Sequence, residues 1–280
     1  MSVLDVIIQG IIQGVTEFLP ISSSGHLAVV QYVFGISSEE SLFLTTVLHL
    51  GTLVAVFISF FDIIKRICIE VARIFIDIFK GRFSFKWLNG SRRLVFMLIV
   101  ASIPLVGAYF LSSFVDRIMA YGNIIIVGIC FIFTGILLFI ASKKKKCNLF
   151  EEDMKVGDAL LIGLTQMIAV LPGISRSGST TSVGILRGFN KEFMVMFSFI
   201  LGIPAILGAA ASLFMDKTAE SITVGTPLLI IGFLTSAVTG IVSIKLINFL
   251  VKKNRFTVFA WYLLIIGAAT IIIRITEFTL

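Results

Sequence analysis

Leu19-Pro20-Ile21-Ser22-Ser23-Ser24-Gly25-His26 is a polar stretch inside an otherwise apolar sequence, and it has a counterpart in Leu171-Pro172-Gly173-Ile174-Ser175-Arg176-Ser177-Gly178. When Gly173 is left out, six of the seven paired positions from Leu19 to Gly25 are identical. The one difference sets Ser23 against Arg176. The chain therefore contains one polar motif twice, and its organisation follows from where the two copies lie.

The composition is that of a membrane protein. Hydrophobic residues make up 58% of the 280 residues, charged residues only 14%, and the mean hydropathy is +1.07. Soluble domains are about one quarter charged. These values predict an all-α polytopic membrane protein. The net charge of +7 is then better explained by basic cytoplasmic loops than by a nucleic-acid surface.

Charged residues divide the apolar sequence into segments. A helix needs about 20 apolar residues to cross a bilayer. Six charge-free runs satisfy this length: Ser41–Phe61, Leu94–Val115, Ile118–Ser142, Phe193–Met215, Ser221–Ile244 and Phe256–Ile273. They predict six full transmembrane helices.

Two further apolar regions, residues 3–35 and 157–188, contain the two polar motifs. Proline interrupts a helix and glycine permits a sharp bend, so each region is expected to be a helix, a polar loop and a second helix. Each could be a kinked span or a re-entrant hairpin. The short halves favour the hairpin. In either case the irregular backbone must be buried in protein or line a wet cavity.

The distribution of Lys and Arg supports the re-entrant alternative. With two hairpins, 18 of the 23 basic residues lie on one side, in the connections 62–93, 143–156, 187–192 and 251–255. Arg117, Lys217 and Arg274 lie on the other side, and Arg176 and Lys245 lie within membrane segments. The positive-inside rule then places both termini outside the cytoplasm. Kinked spans would mix the basic loops between the two sides.

This topology turns the repeated motif into an inverted repeat. Each half is a hairpin followed by three spans, approximately residues 1–142 and 156–280. Because three is odd, the second half is inverted, and the two polar loops are expected to meet near the membrane midplane. Gly10-x-x-Gln13 and Gly163-x-x-Gln166 extend the similarity, although chance similarity between two Ser/Gly loops is the alternative. Residues 62–80 are expected to form an amphipathic helix at the cytoplasmic interface.

Ionisable residues inside a membrane are costly and suggest function. Glu17 lies one turn after Gln13, and a carboxylate with an amide oxygen suits a hard cation such as Mg²⁺ or Ca²⁺. The alternative is that Glu17 forms a structural ion pair with Arg176. His49 and Lys245 are assigned structural roles, an interhelical hydrogen bond and a side chain that reaches the interface.

The serines and His26 of the first motif have two interpretations. At least two of Ser22, Ser23 and Ser24 are expected to serve as N-cap residues of the next half-helix. A serine near a histidine can also be an activated nucleophile. His26 could act as the base and acid, or could itself attack phosphorus.

The second motif is typical of an anion site. Arg176 lies in a Gly/Ser-rich turn before a helix, where backbone N–H groups and the guanidinium favour phosphate oxygens. Ser175, Ser177, Ser179 and Thr180 add hydroxyl groups. A capping Arg–Glu pair is the alternative.

Together these residues indicate a membrane enzyme that acts on a lipid-linked phosphate. Phosphoryl transfer needs charge neutralisation, a nucleophile and a positioned proton donor or acceptor. The chain lacks the Walker A motif that would indicate ATP. A transporter or flippase of a polyprenyl phosphate lipid is the main alternative, because inverted repeats also suit alternating access.

The two motifs resemble a known family. Gln13-x-x-x-Glu17-Phe18-Leu19-Pro20-x-Ser22-Ser23-x-Gly25-His26 and Pro172-Gly173-x-Ser175-Arg176-Ser177-Gly178 are similar to the signature motifs of the bacterial undecaprenyl-diphosphate phosphatases, the BacA-type bacitracin-resistance family. The resemblance covers the whole chain. It implies hydrolysis of undecaprenyl diphosphate to the monophosphate for peptidoglycan synthesis, a divalent cation, a multi-pass plasma-membrane location and a homodimer.

The resemblance also implies site residues. The catalytic residues are Glu17, Ser23, His26 and Arg176, with Ser22, Ser175 and Thr180 as supporting polar groups. The phosphate is expected on Arg176 and on the turn that contains Gly173, Ser177 and Gly178, and the cation near Glu17 and Gln13. The first motif position is Glu or Gln in the family and Gln13 here, so Glu17 is the only carboxylate. Whether Ser23 or His26 is the nucleophile stays open, and phosphate is expected to leave at the outer face.

Overall fold

A computed structural model describes residues 1–34, 38–82, 90–108, 110–111, 115, 124–215 and 224–279. Within these ranges the chain is helical, with one 3₁₀ turn at Glu151–Asp153. The α-helices are α1 (Val3–Phe18), α2 (Ser23–Phe34), α3 (Ser38–Ser59), α4 (Phe61–Phe79), α5 (Gly90–Ser102), α6 (Ile124–Ser142), α7 (Val156–Ile168), α8 (Arg176–Arg187), α9 (Lys191–Met215), α10 (Thr226–Lys252) and α11 (Phe256–Thr279).

Five segments in the described part of the chain are long and apolar enough to cross a membrane: Gly90–Ala108, Ile124–Ser142, Lys191–Leu213, Thr226–Lys252 and Phe256–Thr276. A sixth candidate consists of α3 and α4, which pass the same test only as a pair and are bent by 87° at their junction. The expected all-helical membrane protein is thus confirmed, with five or six candidate spans.

Some helix ends differ from the charge-free runs that predicted them. The run that ends at Ile244 belongs to α10, which continues to Lys252. Lys245 does not end this helix because its side chain is exposed and can extend outward. α11 likewise continues past Arg274 to Thr279. The predicted starts at Ile118 and Ser221, and the basic residues Arg117 and Lys217, lie outside the described residues.

Both interrupted regions form a helix, a loop and a helix, as predicted. α1 ends two residues before Pro20 and α7 ends four residues before Pro172. We call the connections loop 1 (residues 19–22) and loop 2 (residues 169–175). They bring the first turns of α2 and α8 into the protein interior.

Glycines allow the helices around the loops to pack closely. A Cβ atom at Gly14 of α1 would lie 2.6 Å from the Ser236 carbonyl oxygen of α10, and one at Gly128 of α6 would lie 2.8 Å from the Gly267 carbonyl oxygen of α11. Small residues permit such close helix contacts within membranes. α1 therefore lies against α10, and α6 lies against α11. The first helix of the second interrupted region, α7, packs against α5.

The predicted amphipathic helix over residues 62–80 is observed as α4. Its Glu70 side chain is buried and accepts a hydrogen bond from Arg73 Nη1 at 2.6 Å. Arg92 of α5 lies between Glu70 Oε2, at 3.5 Å, and Asp77 Oδ2, at 2.9 Å. These ion pairs fasten α4 to α5.

Candidate active site

The two loops use the same local hydrogen bond to begin the following helix. Ser22 Oγ accepts from the Gly25 backbone N–H at 3.3 Å, and Ser175 Oγ accepts from the Gly178 N–H at 3.0 Å. A serine that bonds the backbone N–H three residues later caps a helix N-terminus. Ser22 and Ser175 are therefore N-cap residues, and the motifs share this hydrogen bond, although the φ angle is 72° at Ser22 and −73° at Ser175.

The loops also contact each other, as the sequence predicted. Ser177 Oγ lies 3.3 Å from the Glu17 carbonyl oxygen. A Cβ at Gly25 would lie 2.7 Å from Gly173 Cα, and a Cβ at Gly178 would lie 3.0 Å from the Pro20 carbonyl oxygen. Each of these two equivalent glycines thus allows its helix to approach the opposite loop.

Glu17 is at the centre of the polar contacts between the loops. Its side chain is 6% exposed, and its Oε1 accepts a charge-assisted hydrogen bond from Arg176 Nη2. The other oxygen, Oε2, accepts from Ser23 Oγ at 2.7 Å and from Gln13 Nε2 at 3.0 Å. His49 Nε2 lies 3.6 Å from the same oxygen. A buried carboxylate requires such partners, so Glu17 is held in one orientation.

Arg176 is held between this carboxylate and α9. Its Nη1 donates to the Ser198 carbonyl oxygen at 3.3 Å. The guanidinium lies against Gly202, where a Cβ would overlap it. Thr180 donates to the Arg176 carbonyl oxygen at 2.8 Å and its hydroxyl pairs with Ser198 Oγ at 2.6 Å. Thr180 thus packs behind Arg176 instead of facing the cavity.

A cavity of about 340 Å³ opens beside these residues. Its polar wall consists of Thr16, Glu17, Ser22, Ser23, Ser24, Thr45, Thr46, His49, Gln166, Ser175, Arg176 and Ser177. Its apolar wall consists of Leu105, Ala169, Val170, Ile174, Ala205, Ile206 and Ala209. The cavity lining therefore combines hydroxyl groups and one guanidinium with aliphatic side chains.

The structure brings together only part of the predicted site. Among the predicted residues, Glu17, Ser22, Ser23, Ser175, Arg176 and Ser177 line the cavity. The predicted residues that do not line it are Gln13, His26, Gly173, Gly178 and Thr180. Gly173 and Gly178 instead provide the close loop contacts described above.

His26 is directed away from the cavity. Its Nδ1 lies 2.7 Å from the Ser22 carbonyl oxygen, and its Nε2 lies 2.7 Å from Tyr262 Oη. The ring stacks on Tyr262, with centroids 5.6 Å apart. Because a carbonyl oxygen only accepts, Nδ1 carries the proton and Nε2 accepts from the tyrosine. His26 fastens loop 1, where Ser22 has a φ of 72°, to α11.

Sequence reasoning missed cavity residues on α3 and α7. His49 was assigned a structural role, although it was one of few ionisable residues within the apolar segments. Gln166 was noticed only as part of the repeat. Thr45 and Thr46 carried no signal, because threonine is common in membrane helices and their proximity to Glu17 is a tertiary contact.

Gln13 and Glu17, the residues of the predicted cation pair, are hydrogen-bonded to each other. Gln13 presents its amide nitrogen, and not its oxygen, to Glu17. Both Glu17 oxygens already accept hydrogen bonds from protein groups. Within the described ranges there is also no cluster of three His, Cys, Asp or Glu side chains that could hold a metal ion. The divalent cation stays a prediction.

Comparisons with known proteins give a consistent result. The family model described as bacitracin resistance protein BacA matches residues 6–269. An undecaprenyl-diphosphatase of Alkaliphilus metalliredigens is 41% identical over 278 residues, which cover 97% of this chain and 98% of that protein. Proteins of the same name from Bacteroides thetaiotaomicron and Methanosphaera stadtmanae are 40% and 37% identical, over 98% of this chain and 100% and 99% of theirs.

Proposed function

The chain belongs to the BacA family of bacitracin resistance proteins, and we propose from this premise that it hydrolyses undecaprenyl diphosphate at the cavity between the two loops. It is an undecaprenyl-diphosphatase of the multi-pass membrane type. The products are undecaprenyl phosphate and inorganic phosphate, which returns the lipid carrier to peptidoglycan synthesis and accounts for bacitracin resistance.

One observation carries the assignment of the site: Ser23 Oγ lies 2.7 Å from Glu17 Oε2, and Arg176 is bound to the other oxygen of that carboxylate. The hydroxyl therefore has a base within hydrogen-bond distance, as nucleophilic catalysis requires. The Arg176 guanidinium also lines the cavity, and it can bind two phosphate oxygens at once.

The reaction proceeds in two steps. Glu17 takes the Ser23 proton while Ser23 Oγ attacks the terminal phosphorus, and the bond to the bridging oxygen breaks with its electron pair leaving on undecaprenyl phosphate. Water then attacks the phosphorus of the phosphoserine, the P–Oγ bond breaks with its electron pair returning to Ser23 Oγ, and Ser23 takes back the proton from Glu17 as inorganic phosphate leaves. Arg176, Ser175 and Ser177 neutralise and orient the phosphate oxygens throughout.

The apolar wall supports a substrate with a lipid tail. Leu105 of the Gly90–Ala108 segment and Ala205, Ile206 and Ala209 of α9 line the cavity. Aliphatic side chains of this size suit the first isoprene units next to the diphosphate. The headgroup then occupies the polar wall while the remaining tail lies in the membrane.

The finer architecture is part of the same proposal. We infer inverted repeats of about residues 1–142 and 156–280, each beginning with a re-entrant hairpin. Two observations support these repeats. Ser22 and Ser175 make the same capping hydrogen bond. The first helix of each repeat also packs against a helix of the other repeat, α1 against α10 and α7 against α5. The charge distribution supports an outward-facing site with both termini outside the cytoplasm. A homodimer and a divalent cation rest on the family resemblance alone.

A second candidate function is transport of the lipid product. The two equivalent loops that meet in the interior are the observation that favours it, because inverted repeats of this kind support alternating access. Transport would need Arg176 but not the Ser23–Glu17 hydrogen bond.

Phosphate release by the purified protein tests the proposal. The substrate is a C55 polyprenyl diphosphate in detergent, with Mg²⁺ or Ca²⁺ and, separately, with a chelator. Wild type should release phosphate, and Ser23→Ala should lose nearly all of it. Ser142→Ala is a matched control, because Ser142 bonds only its own helix, at the Phe139 carbonyl oxygen. Undiminished release by Ser23→Ala would disprove the assigned nucleophile, and no release by wild type would disprove hydrolysis.

A further inference from the structure

We propose that His49 is a positioning residue of the reaction centre, which holds the Glu17 carboxylate in line with the Ser23 hydroxyl. The inference rests on the proposed function of the Glu17 site. It assigns the second histidine of the chain to the reaction centre, whereas His26 faces Tyr262.

The orientation of the His49 ring follows from its neighbours. Nδ1 lies 2.7 Å from the Thr45 carbonyl oxygen, so this nitrogen carries a proton. The opposite nitrogen, Nε2, is then directed at Glu17 Oε2, at 3.6 Å. The side chain is 25% exposed and lines the cavity.

The backbone that carries His49 is held in place by α10. Ser236 Oγ donates to the Leu48 carbonyl oxygen at 2.9 Å. A Cβ at Gly51 would overlap Ser236, so the two helices touch at this level. Thr52 Oγ1 also donates to the His49 carbonyl oxygen at 2.8 Å. The ring therefore has little freedom to leave Glu17.

His49 contacts the Glu17 oxygen that takes part in the proposed reaction. This oxygen is the one that accepts the Ser23 hydroxyl, whereas Arg176 holds Oε1. His49 and Gln13 approach Oε2 from α3 and from within α1. A carboxylate oxygen only accepts, so the contact holds Oε2 when Nε2 carries a proton as well as Nδ1. Loss of this donor would let the carboxylate turn away from Ser23.

Steady-state kinetics with four variants test the proposal on the full-length protein in detergent. His49→Leu removes both nitrogens at similar size. His49→Gln keeps an N–H that can reach Glu17, and His49→Asn keeps the amide but is too short. Ile58→Leu changes an exposed position of the same helix and serves as the control.

We expect kcat to fall about 10²-fold in His49→Leu and His49→Asn, the size of effect that a small misplacement of a catalytic group produces. KM should change little, and His49→Gln and Ile58→Leu should stay near wild type. Wild-type kcat in His49→Asn, or a kcat as low in His49→Gln as in His49→Leu, would overturn the proposal. If His49→Leu does not fold, the Asn and Gln variants decide the question.

Different results contradict the proposed hydrolysis and the proposed role of His49. Absence of phosphate release by wild type contradicts the proposed function itself. Normal release by wild type together with normal kcat in His49→Asn contradicts only the role of His49.

Discussion

Glu17 is the residue on which the account depends most. Its carboxylate accepts from Ser23 of α2, from Gln13 of its own helix and from Arg176 of α8. The sequence identified Glu17, Ser23 and Arg176, because polar residues are rare in such an apolar chain. It could not determine the direction of a side chain: the His26 ring bonds Tyr262 and the His49 ring faces Glu17.

Glu17→Gln should abolish most activity without changing the shape of the side chain. The amide cannot take the Ser23 proton, and Arg176 loses its counter-ion. We expect the rate of phosphate release to fall by about 10²- to 10⁴-fold, as for other lost general bases. Glu192→Gln, at an exposed position on α9, should behave as wild type. Full activity in Glu17→Gln would mean that another group accepts the proton.

Tyr262→Phe separates a structural role of His26 from a catalytic one. The variant keeps the ring stacked on His26 but loses the hydroxyl that donates to Nε2. We expect the free energy of unfolding to fall by about 1 kcal/mol, the usual value of one hydrogen bond, with activity close to wild type. Thermal unfolding and initial rates measure the two effects. A loss of activity as large as that of Glu17→Gln would instead assign His26 a part in proton transfer.

At the scale of elements, the half-helices and loops were predictable and their partners were not. Pro20 and Pro172 explain why α1 and α7 end where they do, and the serine caps explain where α2 and α8 begin. The approach of α3 and α9 to the loops depends on packing between distant segments. For this reason Thr45, His49 and the apolar wall from α9 were absent from the predicted site.

Gly202→Leu tests how α9 positions Arg176. The new side chain would occupy the place of the guanidinium and move it away from Glu17. Leucine is a better helix former than glycine, so the helix itself should persist. We expect KM to rise and kcat to fall, with thermal stability retained.

Gly208→Leu is the matched control for this experiment. It lies on the same helix, with open space where its Cβ would be, and should keep wild-type kinetics. Equal activity of Gly202→Leu and wild type would show that the observed position of Arg176 is not required.

At the scale of the whole molecule, the repeated motif predicted that its two distant copies would meet, and they do: Gly25 lies against Gly173, and Gly178 lies against Pro20. Composition predicted the helical membrane class. The charge-free runs predicted most of the helix ends in the described part of the chain to within several residues. Helix ends beyond Lys245 and Arg274 were missed because long basic side chains can reach out of an apolar segment. The cation near Gln13 and Glu17 stays a prediction, because spacing along a helix does not determine which amide atom faces a carboxylate.

We propose that Ser23, in the first turn of α2, is the nucleophile and that Arg176, in the first turn of α8, binds the phosphate of one reaction centre. Rapid-quench single turnover with substrate labelled at the terminal phosphate tests it most directly, followed by mass spectrometry of the labelled peptide. We expect a transient phosphate on Ser23 that is absent from Ser23→Ala and decays as free phosphate appears. Label on His26, or a full turnover with no label on Ser23 at any time, would contradict the account.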